Sequence, residues 1–371
     1  MDAGAVRVLI VGAGIAGLAA ARALHGCGAQ VQIIERVPGP ASEGAGIYLL
    51  GNAMRALDGL GLGEAVSGRA VVIEQQRVFD HRGRLLFDID TEDVWSDVGP
   101  CVALPRTALS RVLLDGAADV PIRWDQSPVA VAVEDNGVSV EFADGTTDRF
   151  DLVLGADGVH STIRRLVFDA PPPRPVGQYA RRFVLTRPAT PPVWSVLLGS
   201  GSTFLTIPIG DGRLYCYCDG PIGSPPPPLR HVLAGFAQPV PELLDALEHE
   251  SGDSDIHAGA IEEVVLDSWS HGAVLLIGDA AHATSPNMAQ GAAMALEDAL
   301  VLAECLTEAD SVGAAVSTYE RRRHPRTDWV LHQTHRRDST RSLPSVIRNP
   351  VLKRFGPRIF QASYRPLRAP A

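Results

Sequence analysis

The sequence predicts an α/β chain, α+β overall, in which a parallel-sheet unit is interrupted by a smaller antiparallel sheet and followed by C-terminal helices. Three observations predict it. A β-branched run at 6–11 leads into a glycine-rich turn, an alanine-rich helix to about Cys27 and a second short apolar run at 30–35, the pattern of a βαβ unit. Strand-like runs at 179–186, 193–198, 203–209 and 213–219, with a Gly-Asp-Gly turn at 210–212, read as successive antiparallel strands. Two non-alternating apolar runs, 151–154 and 273–277, lie on either side of that sheet in the chain and read as strands buried on both faces.

At 371 residues the chain is long for one core, and two domains are expected. The parallel unit is assigned to 1–75, 98–172 and 265–315, the antiparallel unit to 76–97 and 173–264, and a C-terminal helical segment to 316–371. The proline run at 171–175 excludes helix or central strand and marks a boundary. A long helix is expected from about Gln290 to Leu306, and a polar helix over 317–335 precedes a proline-punctuated tail.

A net charge of −10 argues against general affinity for nucleic acid. The charge is uneven. From Arg321 to Ala371, 13 basic and 2 acidic residues give +11, which leaves −21 on residues 1–320. Cys27, Cys101, Cys216, Cys218 and Cys305 show no metal or disulfide spacing, so reduced thiols, no metal site and a cytoplasmic location are expected. The uncharged run 8–21 is too short to span a bilayer, and no integral membrane association is expected.

Three motifs carry chemistry. Gly12-Ala13-Gly14-Ile15-Ala16-Gly17 follows a strand and opens a helix: Gly12 permits the turn, Gly14 admits a pyrophosphate, and Gly17 allows close helix–strand packing. The helix end offers free N–H groups to phosphate. Glu35, 23 residues after Gly12 and at the end of the next strand, is placed to accept ribose hydroxyls. This is a Rossmann-like dinucleotide-binding unit, by itself open to FAD or NAD. The second motif, 155–164, places Asp157 at a strand end ahead of Ser161, a candidate N-cap; a phosphate-site role and a purely local turn are equally compatible with it. In the third, Asp279 ends a strand after Gly278 and can hold a polyol. Pro286 then fixes a loop, and Ala289, Gln290, Gly291 and Ala292 present amides and a helix N-terminus to a flat anion.

In this order and spacing the motifs resemble the class A, p-hydroxybenzoate hydroxylase-like FAD-dependent monooxygenases, over roughly 6–320. Gly44-Ala45-Gly46-Ile47, Asn52-Ala53 and Leu104-Pro105-Arg106-Thr107 match as well. The resemblance implies FAD as cofactor, with NADPH or NADH and O2 as co-substrates. It further implies oxygen transfer through a flavin C4a-hydroperoxide to a small aromatic substrate. It places Gly12, Gly14, Ala16 and Gly17 at the pyrophosphate, Glu35 and Arg36 at the adenosine end, and Arg106 along the FAD chain. Asp157 falls near the pyrophosphate and NAD(P)H, and Gly278 and Asp279 at the ribityl chain. Pro286 and residues 289–292 fall along the ring, and Gly46 and Ile47 are further cofactor contacts. Ala289 stands where the family often has glycine; its methyl is tolerated unless the backbone needs positive φ.

No second glycine fingerprint is present, which argues against a disulfide-reductase-type flavoenzyme, and the halogenase Trp-x-Trp-x-Ile signature is missing. An oxidase or dehydrogenase without oxygen transfer, and a non-catalytic FAD-binding protein, are the alternatives. For catalysis, Tyr215, His282 and Pro286 are the candidates, with Tyr48 a further substrate contact. Alternation puts Arg213, Tyr215, Tyr217 and Asp219 on one sheet face and Leu214, Cys216 and Cys218 on the other, without saying which meets the flavin. Arg181 and Arg182 point to opposite faces and are both expected at the surface. A monomer or homodimer is expected.

Overall fold

A computed structural model describes residues 6–40, 44–187, 191–250 and 256–371. Arg7–Val11, Gln30–Glu35, Ile122–Trp124, Leu152–Gly155 and Val274–Leu276 run parallel in a six-stranded sheet, with Ser270–His271 antiparallel at its edge. The apolar runs dictate this arrangement: every residue of Leu152–Gly155 and Val274–Leu276 is buried, as strands covered on both faces must be. The alanine-rich helix Ile15–Gly26 covers one face and packs along Gly291–Glu308. Its small side chains allow the close approach.

The second sheet has seven strands, in the order His257–Glu263, Arg174–Thr186, Arg213–Pro221, Thr203–Pro208, Val193–Leu198, Gln75–Asp80 and Leu85–Asp90. It is not wholly antiparallel. Val193–Leu198 pairs parallel with Gln75–Asp80, because a long excursion of chain, not a hairpin, joins them. The strand also starts earlier than the proline run predicts: Arg174 and Pro175 pair with Glu263 and Glu262, and the register shifts before Tyr179. A proline at a strand's irregular first residues removes little from the ladder.

Alternation along Arg213–Pro221 separates two cores. Tyr215 and Ile207 join the large core of the parallel unit. Cys216 and Cys218 pack with Phe183, Phe204, Leu243 and Leu247 under Val240–Glu250.

The C-terminal segment is more helical than its prolines suggest. Val312–Arg341 runs unbroken through Pro325, and the expected tail is a 20-residue helix, Ser345–Tyr364, containing Pro350 and Pro357. Those two prolines are seven apart on one side, away from the buried Arg348, Leu352, Gly356 and Phe360. The carbonyls they leave unpaired belong to Val346 and Lys353, both exposed residues, which lowers the penalty. No helix among the described residues is long and apolar enough to cross a membrane.

Candidate functional site

The parallel strands deliver the three motifs to one edge of the sheet. Ala156 donates its N–H to Val11 O at 2.8 Å, and Ile277 donates to Gly155 O at 3.0 Å. Gly12 has φ +111°, and a Cβ there would stand 2.5 Å from Ala156 O, so the first two turns touch backbone to backbone. A Cβ on Gly278 would lie 2.7 Å from the Ala16 Cβ, which brings in the third, and one on Gly17 would lie 1.9 Å from Gly12 O. Gly14 differs: nothing lies within 4 Å of its Cβ position. The helix that follows has no side chain capping its first N–H groups. An open cradle at a free helix end is what a pyrophosphate requires.

Around that cradle, Glu35 accepts the N–H of Ala13 at 2.8 Å and of Val37 at 3.1 Å, so its carboxylate both shapes the turn and closes the end of its strand. Arg36 beside it is exposed. Asp157 Oδ2 accepts from the N–H groups of Thr162 (2.6 Å) and Ile163 (3.2 Å). Ser161 Oγ accepts from Arg164 at 2.9 Å and completes the cap of Thr162–Val167. The local-turn reading therefore accounts for one Asp157 oxygen. The other, Oδ1, is buried with no partner. Asp279 is exposed, makes no hydrogen bond or ion pair among the described residues, and has its Oδ1 3.8 Å from the open Cβ position of Gly291.

The 286–292 loop starts with one 3-10 turn, Pro286–Met288, and turns at Ala289 with φ +51° and ψ 34°. The backbone does need positive φ, so the methyl at 289 is not neutral: it sits in the left-handed region that favours glycine. Gln290 is buried and exchanges amide hydrogen bonds with Asn52 at 2.9 and 3.2 Å. Gly291 is exposed and Ala292 half-buried at the start of Gly291–Glu308, whose first turn again lacks a side-chain cap. The C-terminal helices grip the loop from behind. Arg337 donates to Asn287 O at 2.8 Å, and the Tyr364 hydroxyl donates to Met288 O at 3.2 Å. Within the loop, the Ala289 N–H donates to Pro286 O at 2.9 Å.

His282 is tied down. Its Nε2 lies 2.8 Å from Asp298 Oδ2, and its ring centroid is 5.2 Å from that of Trp269. Asp298 also accepts from Arg323 Nε at 2.7 Å and from the Gly278 N–H at 2.9 Å. Burial raises the Asp298 pKa, but His282 and Arg323 outweigh burial and hold the carboxyl well below the usual range. Glu297 next to it pairs with Arg323 and Arg326 and accepts from Asn52 at 3.1 Å.

The sheet face left undecided by alternation is settled by Gly46. A Cβ there would lie 2.6 Å from Tyr215 Cβ and Cγ, so the odd-numbered side chains of Arg213–Pro221 look toward the parallel unit. Ile47 follows in the strand Gly46–Leu49, and the Tyr48 hydroxyl accepts from Gln76 at 2.7 Å. Tyr215 is pushed up to about 12 by burial, opposed by Arg182 and Arg106. It is a neutral phenol at physiological pH. Arg106 is exposed and opens Arg106–Gly116.

Neither neighbouring arginine sits where expected. Arg181 is buried on the far face and donates to Pro227 O. Arg182 is half-buried on the cleft face, hydrogen-bonded to Tyr215 and 5.4 Å from the Tyr217 ring centroid. Sequence reasoning did not bring Arg323, Arg337 and Tyr364 to the site, marked Asn52 only through the resemblance, and expected Arg182 at the surface. No local pattern marks a side chain whose partner sits on another element, 25 residues away for Arg323 and 76 for Tyr364.

The open Gly14 cradle, the orphaned Asp157 oxygen, the unpartnered Asp279 and two uncapped helix ends fit the phosphates, polyol and ring of FAD. Fold and site together define a flavin-dependent oxidoreductase. Residues 5–176 and 238–334 match the family model of the FAD binding domain. The chain belongs to this family of class A FAD-dependent monooxygenases, and it is an FAD-dependent monooxygenase. It is 32% identical to the aurachin C monooxygenase/isomerase of Stigmatella aurantiaca, over 89% of this chain and 88% of that one. It is also 32% identical to the 3-amino-4-hydroxybenzoate 2-monooxygenase PtmB3 of Streptomyces platensis, over 90% and 87%. Klebsiella pneumoniae HpxO, solved with FAD and uric acid, shares the fold with a TM-score of 0.88 at 24% identity, over 98% of this chain and 96% of that one.

Proposed function

We propose that the chain uses NAD(P)H and O2 to hydroxylate a small aromatic or heteroaromatic acid or phenol, held between the Tyr215 face of the second sheet and the 286–292 loop. The observation that carries this is Arg182. Its guanidinium lies on the cleft face against two tyrosines and has no carboxylate partner among the described residues. A half-buried cation without a counter-ion favours an anionic ligand. The aminohydroxybenzoate and uric acid in the names of the relatives are of this chemical kind.

Bound FAD supplies the redox chemistry, taking electrons from NAD(P)H and passing them to O2. Gly12, Gly14, Ala16 and Gly17 receive the pyrophosphate, with Glu35 and Arg36 at the adenosine end and Arg106 and Asp157 beside the chain. Asp279 accepts from ribityl hydroxyls. Residues 289–292 line the ring, with Ala289 shaping the turn and the uncapped start of Gly291–Glu308 offering N–H groups to the edge where negative charge gathers. Tyr215, a neutral phenol, orients the substrate by hydrogen bonding and does not act as a base. Pro286 sets the loop, and His282, through Asp298, steadies the turn at Gly278 that presents Asp279. Residues 1–75, 98–172 and 265–315 carry the cofactor, 76–97 and 173–264 the substrate, and the enzyme works in the cytoplasm as a monomer or homodimer.

The test is a screen of aromatic acids and phenols for stimulated NADPH or NADH oxidation, followed under labelled O2 by mass spectrometry. Label in the product is expected; label confined to water or peroxide means an oxidase. Arg182→Met is expected to raise KM for an acidic substrate roughly 10–100-fold, the loss of a charged hydrogen bond, with FAD still bound.

A further inference from the structure

The C-terminal helices carry a second surface that the flavin site does not use. On Ser345–Tyr364 the buried side chains are Arg348, Leu352, Gly356 and Phe360. Beside them runs a strip of Ile347, Val351, Phe355 and Ile359, exposed at 56, 43, 44 and 41%. Leu343 and Val346 extend it at 42 and 80%. Side chains four apart share a helix face, so these form a continuous ridge roughly 20 Å long. Phe355 and Ile359 also wall a groove against Trp329 of Val312–Arg341, with Arg336 and Arg358 at its rim.

Cations line both sides of the ridge. Arg354, Arg358 and Arg365 flank it on one side and Arg336 on the other, with Lys353 further round the helix. None of the five has a carboxylate partner among the described residues, and Ser345–Tyr364 contains no acidic residue. An apolar strip bordered by unneutralised arginine and lysine is the face an interfacial helix offers to lipid. A second copy fits poorly, because a two-fold contact through this face would set the same cations against each other.

We propose that this face binds peripherally to an anionic membrane surface, with Ile347, Val351, Phe355 and Ile359 among the headgroups and the flanking cations on lipid phosphates. Arg337 and Tyr364, which hold the flavin loop, belong to the same pair of helices but point inward, so docking leaves the active cleft uncovered.

The test is co-sedimentation of the FAD-loaded full chain with vesicles of equal parts phosphatidylcholine and phosphatidylglycerol, against phosphatidylcholine alone. Binding to the anionic vesicles is expected to exceed that to neutral ones about tenfold or more and to fall as salt is added. The exposed double variants Phe355→Ser with Ile359→Ser, and Arg354→Glu with Arg358→Glu, are expected to lose it while keeping flavin absorbance and NAD(P)H oxidation. The proposal is overturned by equal or absent sedimentation with both vesicles, or by double variants that bind as the parent does. It is equally overturned by a concentration-dependent dimer that Phe355→Ser breaks, or by capture on poly-glutamate with vesicles ignored. Those last two outcomes mean a second copy and an acidic protein partner.

Discussion

Ala289 holds a backbone shape that its side chain opposes. With φ +51° and ψ 34° it sits in the left-handed region, where a Cβ costs about 1–2 kcal/mol. Glycine removes that cost but loses more freedom on folding, by roughly 0.5–1 kcal/mol. Ala289→Gly is therefore expected to stabilise the protein by about 0.5–1 kcal/mol, seen as a higher urea midpoint with an unchanged slope. A lower midpoint would mean that the methyl's packing outweighs the strain. The position was legible in the sequence as a departure from glycine. The sign of φ was not, because the loop's path is imposed by Pro286 on one side and the buried Gln290 on the other.

Among elements, the pair formed by the 286–289 loop and the two C-terminal helices has the clearest consequence. Arg337 and Tyr364 take the carbonyls of Asn287 and Met288, and Asn287 Nδ2 donates to Thr334 O at 3.2 Å. These contacts fix which side of the loop shows its amides. In Arg337→Met or Tyr364→Phe the loop is free to turn, and charge on the reduced ring is less well met. The flavin's two-electron potential is expected to fall by roughly 10–30 mV, with Arg337→Lys recovering part of the loss. An unchanged potential in a variant that still binds FAD would leave these side chains a purely structural role. The helix Ser345–Tyr364 was not legible, since Pro350 and Pro357 break the usual pattern; only its packing shows that neither proline falls on the buried row of Arg348, Leu352, Gly356 and Phe360.

Across the whole molecule, one buried polar network joins parts of the chain that are far apart in sequence. Arg323, fully buried, binds Asp298 and Glu297; Asp298 holds His282 and Gly278, and Glu297 accepts from Asn52, which in turn bonds Gln290. Arg323→Met deprives two buried carboxylates of a shared cation, leaving Glu297 to Arg326 and Asp298 to His282, a loss of about 3–5 kcal/mol by chemical denaturation. The native pKa of Asp298 is depressed, so the stability it confers is full above the ordinary carboxylate pKa near 4 and fades as pH falls toward the lower native value. Stability of the parent is accordingly expected to drop between about pH 5 and pH 3 more steeply than that of Asp298→Asn. Matching slopes would show that the carboxylate is not what holds the network.

Local chemistry explains what the sequence settled alone. Gly12, Gly14 and Gly17 between a strand and a helix, Glu35 at the next strand's end, and fully apolar runs closing in Asp157 and Gly278-Asp279 each encode their own turn, and turns of that kind at strand ends define the cofactor edge of a parallel sheet. Period-two alternation likewise named both faces of Arg213–Pro221. What alternation cannot contain is which face looks toward the parallel unit, because that depends on Gly46 making room for Tyr215 from across the molecule. The same holds for Arg182 in the cleft and for Arg337 and Tyr364 behind the loop. Their places follow from long-range packing, which assigns a side chain its neighbours only once the whole chain has closed.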